Sequence, residues 1–428
     1  FSISGDGEVR LDLKDGYQGV QVDLVSQIIS DDGFGNTESY TGHFSEVRST
    51  HYDDTILGSA LDESFILRGG TDTLDGGDGW DVVRYNRDGT EAGVNADLNS
   101  GIATGLWSGN NFTHYLDNIQ GVVGGKGDDT IVGDEFANHL IGNDGTDSLH
   151  SGAGDDSIDG GAGDDVIGAG EGVNYSDGGE GNDTIVLEGN GTFGSGLAAL
   201  NISSAIQTGT EEHLSLNGKT RFEDVMDGGA DVDTVELTDA SDAFFLHDSF
   251  SGFHSSLTLS NDREGKSGTA RIENIENINA GDGDDIVDLT SSDYSLAGQD
   301  ITVDGGAGND ALWGSDANET LNGGDGNDKL FGGAGINNLI GGLGADEFQF
   351  TETSSDDTIG DFSVADGDTL KFFNTGDAQF DRDSLALSSA GDELTIAYGT
   401  DEDDWLTIRL MNSDLQLNDL TGDVLIIA

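Results

Sequence analysis

From Gly124 onward apolar residues are sparse, and they recur every nine positions. The chain divides there without a gap into GGKGDDTIV, GDEFANHLI, GNDGTDSLH, SGAGDDSID, GGAGDDVIG, AGEGVNYSD and GGEGNDTIV, ending at Val186. A second block from Gly305 to Gln349 reads GGAGNDALW, GSDANETLN, GGDGNDKLF, GGAGINNLI and GGLGADEFQ. A weaker one from Ser49 to Arg84 reads STHYDDTIL, GSALDESFI, LRGGTDTLD and GGDGWDVVR. Isolated units stand at Gly228–Glu236 (GGADVDTVE) and Ala280–Asp288 (AGDGDDIVD). Position eight is apolar: Ile131, Leu140, Leu149, Ile158, Ile167, Ile185. Position seven is often Thr or Ser, position six is nearly always acidic or Asn, and positions one to four are glycine-rich. One inward side chain between polar neighbours predicts a strand over the last three positions. The glycine-rich first six predict a loop with tight turns and positive φ.

A three-residue strand cannot stand alone, but a fixed period lets copies stack. The expected fold is all-β. Each strand pairs in parallel with the strand two repeats away, and two nonapeptides make one right-handed coil around a thin core of position-eight side chains.

Other segments interrupt the period. Residues 20–57, 94–132 and 255–287 each hold an alternating strand, a polar turn, a second strand and re-entry into a repeat; Val20, Val22 and Leu24 show the alternation. They predict β-hairpins or widened coils laid on the solenoid. Residues 187–227 lose the phase and read as a linker or cap, with a helix-like stretch near Gly196–Ile206. Toward the C-terminus, Glu393–Tyr398 and Trp405–Leu410 alternate again, which predicts antiparallel strands capping the open end of the roll. The expected division is 1–48 β spacer, 49–84 degenerate roll, 85–123 β spacer, 124–186 roll, 187–227 linker or cap, 228–304 β spacer with isolated turns, 305–349 roll, and 350–428 C-terminal β cap.

Composition changes this picture in one respect. Acidic residues number 84 against 16 basic, a formal net charge of -68, and only 34% of residues are hydrophobic. That combination is the signature of disorder, and Gly/Asp low complexity commonly marks a flexible linker. The strict phase and the apolar eighth position argue for a fold that a cation completes, with disorder expected in its absence. Such a polyanion excludes nucleic acid and anionic membrane surfaces as partners. No run of about 18 apolar residues predicts membrane insertion. The chain has no cysteine, which excludes disulfides and thiolate metal sites. It also has no proline, which suits a chain needing backbone N–H groups throughout, or one that must fold quickly after export. The start Phe1-Ser2-Ile3-Ser4, without initiator Met or signal-peptide pattern, reads as a processed or excised part of a longer product.

Stacked loops would set position-six carboxylates in rows that repel one another. Ca²⁺ takes six to eight hard oxygens, so carboxylates and loop carbonyls together suit it; Mg²⁺ demands tighter octahedral geometry. Calcium would then supply folding energy that the small core lacks. The expected acidic ligands are Asp54, Asp72, Asp81, Asp129, Asp147, Asp156, Asp165, Asp183, Asp233, Asp285, Asp310, Asp328 and Asp346. The glycines expected to shape the loops are Gly77, Gly79, Gly125, Gly127, Gly145, Gly152, Gly154, Gly161, Gly163, Gly179, Gly181, Gly283, Gly306, Gly308, Gly324 and Gly326. Counting acids in good repeats gives roughly ten calcium ions. Weaker or absent sites are expected at Asn174 and Asn337, and in GDEFANHLI and GSDANETLN, which lack the fourth glycine.

The pattern G-G-x-G-x-D-x-U-x, with U apolar, resembles the calcium-binding repeat of RTX proteins. Sixteen copies fall in blocks of seven, five and four. The resemblance implies a parallel β-roll, calcium buried between loops and export through a type I secretion channel. The spacers look similar to those of large RTX surface proteins and adhesins. DEFQF, DDTIGDF (356–362) and DGDTLKF (366–372) resemble the segment that follows the repeats in secreted proteases and lipases. The ending GDVLIIA resembles the tail of type I secretion substrates, or is simply a last strand.

Catalytic signals are missing. There is no His-Glu-x-x-His and no Gly-x-Ser-x-Gly, and carboxylate pairs are too common here to inform. Histidines 43, 51, 114, 139, 150, 213, 247 and 254 are scattered and read as structural, His139 and His150 as outward or edge residues. AFFLHDSFSGFH (Ala243–His254) reads as aromatics packing a spacer onto the roll, or as a glycan or subunit surface. Trp80 and Trp313, in or beside loops, are expected to be exposed. The expectation is therefore a secreted, non-enzymatic, calcium-binding structural protein of the cell surface or matrix. Its partners would be calcium, a second copy of itself or surface glycans. The alternatives are the non-catalytic C-terminal domain of an exported enzyme, or a catalytic site within the spacers.

Overall fold

The computed structural model describes residues 9–87, 92–187, 200–201, 213–214, 220–221, 224–246, 272–291, 294–351, 356–372, 386–390, 393–398, 406–411 and 425–427. Among them there are strands and no helix. The chain forms two compact units, Phe1–Val186 with Met226–Asp233, and Leu187–Val225 with Thr234–Ala428.

In the first unit the strands fall into two parallel ladders. One runs through Glu46–Arg48, Ser64–Ile66, Val82–Arg84, Gly121–Val123, His139–Asp144, Ser157–Ala162 and Tyr175–Glu180. The other runs through Thr130–Val132, Ser148–His150, Val166–Gly168 and Thr184–Val186, with Thr130 opposite Ser148, Val166 and Thr184 in turn. The step from one paired residue to the next is eighteen residues, two nonapeptides per coil. Successive nonapeptides therefore turn at opposite edges of the roll. Position eight points inward throughout: Ile131, Leu140, Leu149, Ile158 and Ile167 are wholly buried.

The strand-length expectation holds in one ladder and, in the other, for Glu46–Arg48, Ser64–Ile66, Val82–Arg84 and Gly121–Val123, but not from His139 onward. There pairing continues through the following glycines, so that Asn143 lies opposite Gly161 and Gly161 opposite Gly179. Glycine permits this: Gly163 has φ +135°, and a Cβ on it would overlap the carbonyl oxygen of Gly145 in the coil beneath. The loops are thus hydrogen-bonded layers, with the Gly163 N–H donating to the Glu180 carbonyl at 2.7 Å.

Two spacers enter this unit as antiparallel excursions. Gln21–Asp23 pairs antiparallel with Ile28–Asp31 and parallel with Thr55–Leu57. Asn95–Asp97, Ile102–Trp107 and Asn110–Asp117 form a meander whose outer strands join the roll beside Thr130–Val132 and Thr71–Asp75.

The second unit repeats the plan. One ladder includes Asn277–Asn279, Asp300–Asp304, Asn318–Asp325, Asn338–Leu343 and Asp356–Ile359. The other includes Ala243–Phe245, Ile286–Asp288, Ala311–Trp313, Lys329–Phe331, Glu347–Phe350 and Thr369–Phe372. Ala386–Ala390, Glu393–Tyr398 and Leu406–Met411 pair antiparallel, and the last of them lies parallel to Asp356–Ile359. The chain is an all-β parallel β-roll with an antiparallel C-terminal meander.

Residues 255–271 of the third spacer lie outside the described residues. Of the helix-like stretch near Gly196–Ile206 only Leu200–Asn201 is described, and it is a strand paired with His213–Leu214. Trp80 is 40% exposed, but Trp313 is buried, at 7%. Its position faces outward in the repeat, yet in this ladder its neighbours Phe331 and Gln349 are buried as well. Exposure of Trp313 is therefore corrected to burial.

Candidate metal centre

Each loop ends on a position-six side chain that the fold buries. Asp129, Asp147, Asp165 and Asp183 in the first unit, and Asp285, Asp310, Asp328 and Asp346 in the second, are no more than 2% exposed. One carboxylate oxygen of each rung takes a fixed bond from the coil before it. The N–H of Asp129 donates to Asp147 Oδ1 at 2.6 Å, that of Asp147 to Asp165 at 2.7 Å, that of Asp165 to Asp183 at 2.8 Å and that of Asp183 to Asp233 at 2.7 Å. In the second unit the same ladder runs Asp242, Asp285, Asp310, Asp328, Asp346, Asp368 at 2.6–3.0 Å. Asp54 and Asp72 begin a shorter run, at 3.0 Å.

The other oxygen is left over. Oδ2 of Asp81, Asp147, Asp165, Asp183, Asp285, Asp310 and Asp328 is buried without a hydrogen-bond partner. Except at Asp285, whose repeat opens on Ala280, it sits beside the first glycine of its own repeat. A Cβ at Gly160 would fall 2.5 Å from Asp165 Oδ2 and 2.5 Å from the Gly178 carbonyl oxygen one coil on; at Gly305 the same point lies 2.5 Å from Asp310 Oδ2 and 2.7 Å from the Gly323 carbonyl. Glycine thus opens a place where a carboxylate oxygen and main-chain carbonyls of adjacent coils face each other. Burial raises the carboxyl pKa first, and neighbouring carboxylates add to it against the lowering effect of the backbone N–H bonds. Asp165 is raised to about 7 and Asp285 and Asp310 to about 8. A buried carboxylate with a bare oxygen requires a proton or a cation.

The donor set decides which cation fits. Among the described residues no three His, Cys, Asp or Glu side chains gather at one point. A site here is built from one or two carboxylates completed by carbonyls. That is hard-oxygen chemistry, suited to Ca²⁺ and unsuited to soft transition metals.

The RTX calcium-binding nonapeptide repeat (4 copies) family matches residues 57–88, 123–158, 150–185, 302–330 and 313–348. These coils are RTX repeats. RTX repeats bind Ca²⁺, and they indicate a calcium-binding protein exported by type I secretion. No curated protein matches the chain. Among solved structures it is similar to the extracellular lipase LipA from Serratia marcescens, at 18% identity over 72% of this chain, with a TM-score of 0.19. The chain spans 40% of that lipase's length. Among the described residues no helix is long and apolar enough to cross a membrane.

The two acids of an Asp-Asp doublet play different parts in the RTX loops. The first Asp is exposed and clips the coils in the reverse direction. The N–H of Thr146 donates to Asp128 Oδ1 at 3.0 Å, that of Asn182 to Asp164 at 2.9 Å and that of Asn309 to Asp284 at 2.8 Å. The available signal was Asp or Asn recurring at position five. Asp164 also accepts from Asn182 Nδ2 at 3.2 Å, so Asp164→Ala is expected to cost about 1–2 kcal/mol for the two bonds lost and to leave the number of bound calcium ions unchanged. Thermal denaturation and calcium titration of that variant check this.

The remaining candidates are structural in their surroundings. His139 and His150 are half-buried at the ladders. His114 is buried, with Nδ1 3.1 Å from Tyr85 Oη, Nε2 3.3 Å from Asp72 Oδ2, and its ring stacked on Phe112 at 4.3 Å. Asp72, expected as a calcium ligand, thus faces an imidazole. Burial holds His114 neutral, with its pKa lowered to about 3. Of the Ala243–His254 patch, Phe244 is buried in the roll and residues 247–254 lie outside the described residues.

Proposed function

We propose that the chain is a secreted, non-enzymatic, calcium-binding structural protein of the cell surface or extracellular matrix. It would serve as an adhesin end, surface layer or filament subunit, unfolded and exportable where calcium is scarce and folded where it is abundant. The observation that carries this reading is the register of buried position-six carboxylates, of which Asp147, Asp165, Asp183, Asp285, Asp310 and Asp328 keep an oxygen that the protein leaves without a partner. Asp129, Asp147, Asp165, Asp183, Asp285, Asp310 and Asp328 are the proposed acidic ligands. The loop glycines provide carbonyl approach, and the spacers and C-terminal meander provide the surface and the cap. A second copy of the chain or a surface glycan is the proposed partner.

The second reading is the non-catalytic C-terminal domain of an exported enzyme. It draws on the likeness of residues 346–372 to the segment following RTX repeats in secreted proteases and lipases. Both readings require folding on calcium. Far-UV circular dichroism should show a β-rich spectrum in millimolar calcium and a disordered one after chelation. The same folded spectrum under both conditions would sink the proposal.

A further inference from the structure

In the second unit the central residue of each strand is sunk in the core, with Val303, Leu321, Leu339 and Ile359 no more than 1% exposed. Its two neighbours therefore point outward. The residue before it forms a row along the roll, set by pairing in register: Thr234, Asn277, Thr302, Thr320, Asn338 and Thr358. The residue after it forms a second row, which includes Glu236, Asn279, Asp304 and Asn322.

The two rows differ in what their side chains do. In the second, the amides are spent within the protein: Asn279 Nδ2 donates to Glu236 Oε1 at 2.8 Å and Asn322 Nδ2 to Asp304 Oδ1 at 3.0 Å. In the first, the side chains of Thr302, Thr320, Asn338 and Thr358 make no hydrogen bond to any described residue. Threonine suits an outward strand position by propensity alone. Asparagine does not, yet Asn277 and Asn338 stand in the same row.

These four side chains line an open groove of about 370 Å³, flanked two residues earlier on each strand by Asp300, Asn318 and Ile336. Asn318 is pinned there. Its Nδ2 donates to Asp300 Oδ1 at 3.2 Å, and its Oδ1 accepts from the Ile336 N–H at 3.1 Å. Ile336 is 66% exposed. The groove thus offers uncommitted hydroxyls and an amide at strand spacing, about 4.8 Å, beside one bare apolar side chain. An extended peptide finds no edge to pair with here, because the backbone groups are spent in the ladder. A sugar chain fits, since its hydroxyls both donate and accept, as Thr and Asn side chains require, and its C–H faces can cover an isoleucine. Asp300 and a net charge of -68 repel an acidic one.

We propose that this face of the second unit binds a linear, uncharged polysaccharide lying along the roll, with successive sugars over Thr302, Thr320, Asn338 and Thr358. The inference rests on the proposed surface-glycan partner and adds its site, its direction and its charge class. A repeating protein surface here meets a repeating ligand, so each further sugar reaches a further coil.

The test titrates the full chain in millimolar calcium, by calorimetry, with cellohexaose, maltohexaose, mannohexaose and xylohexaose, and with hexagalacturonate. A neutral hexamer is expected to bind and the acidic one not. Affinity for the series that binds should rise from disaccharide to tetrasaccharide as further coils are engaged. Thr320→Val combined with Asn338→Ala should weaken binding about tenfold, for the hydrogen bonds lost, with circular dichroism unchanged. The length series needs no variant, so it decides even where the double variant fails to fold. No neutral hexamer bound, an affinity independent of length, or undiminished binding by the folded double variant overturns the inference while leaving calcium-dependent folding intact. A chain that circular dichroism shows equally folded with and without calcium, yet binds a neutral hexamer in this way, overturns the calcium reading and leaves the glycan site standing.

Discussion

Raising free calcium is expected to move the thermal midpoint of this protein further than any single substitution. A ligand that binds only the folded state stabilises it by RT ln(1 + [L]/Kd), about 1.4 kcal/mol per site for each tenfold increase above Kd. Successive position-six carboxylates provide intervals Asp129–Asp147, Asp147–Asp165, Asp165–Asp183, Asp183–Asp233, Asp285–Asp310, Asp310–Asp328 and Asp328–Asp346. If each holds one ion, a decade of calcium contributes on the order of 10 kcal/mol, comparable to the whole stability of an ordinary domain. The midpoint should therefore climb steeply with calcium buffered over three decades, and Mg²⁺ at equal concentration should do far less. A midpoint that stays level across that range would mean that the bare Oδ2 atoms are satisfied by something other than the ion.

The roll itself was legible because the nine-residue period carries its own register. Ile131, Leu149, Ile167 and Ile185 are spaced by eighteen, and the structure stacks them in that order. The position-six acids could be read for the same reason. What escaped depends on pairs that periodicity does not distinguish. Asp128 and Asp129 look equivalent in sequence, yet one is exposed and accepts from the coil above, while the other is buried. Asn174 and Asn337 were visible as exceptions, but the coils they bond to follow only once alternate repeats are known to stack, Asn174 on Asp156 and Asn337 on Asp357. His114 gives no signal of its own. It meets Asp72 because Asn110–Asp117 pairs in register with Thr71–Asp75, a contact made across a spacer. Trp313 was misjudged because position nine faces outward within a repeat, and a single repeat does not reveal that this outer face is buried.

Acid and calcium are expected to act in the same direction on the metal-free chain and in opposite directions on the loaded one. Without metal, burial raises Asp285 and Asp310 to about 8, Asp129 and Asp165 to about 7, and Asp147 and Asp328 to about 6. In the unfolded chain these groups titrate near 4. Between about pH 4 and 8 the folded roll therefore binds more protons than the unfolded chain, and its stability falls as pH rises. Protonation also lowers the repulsion within a chain of net charge -68. In calcium-free buffer, circular dichroism should show more β structure at pH 5 than at pH 8. With calcium bound the sign reverses, because the ion holds the same carboxylates ionised and protons must displace it. Lowering the pH from 7 to 5 in limiting calcium should then release metal and lower the midpoint. A pH response of the same sign with and without calcium would show that the position-six carboxylates are not the groups that proton and metal compete for.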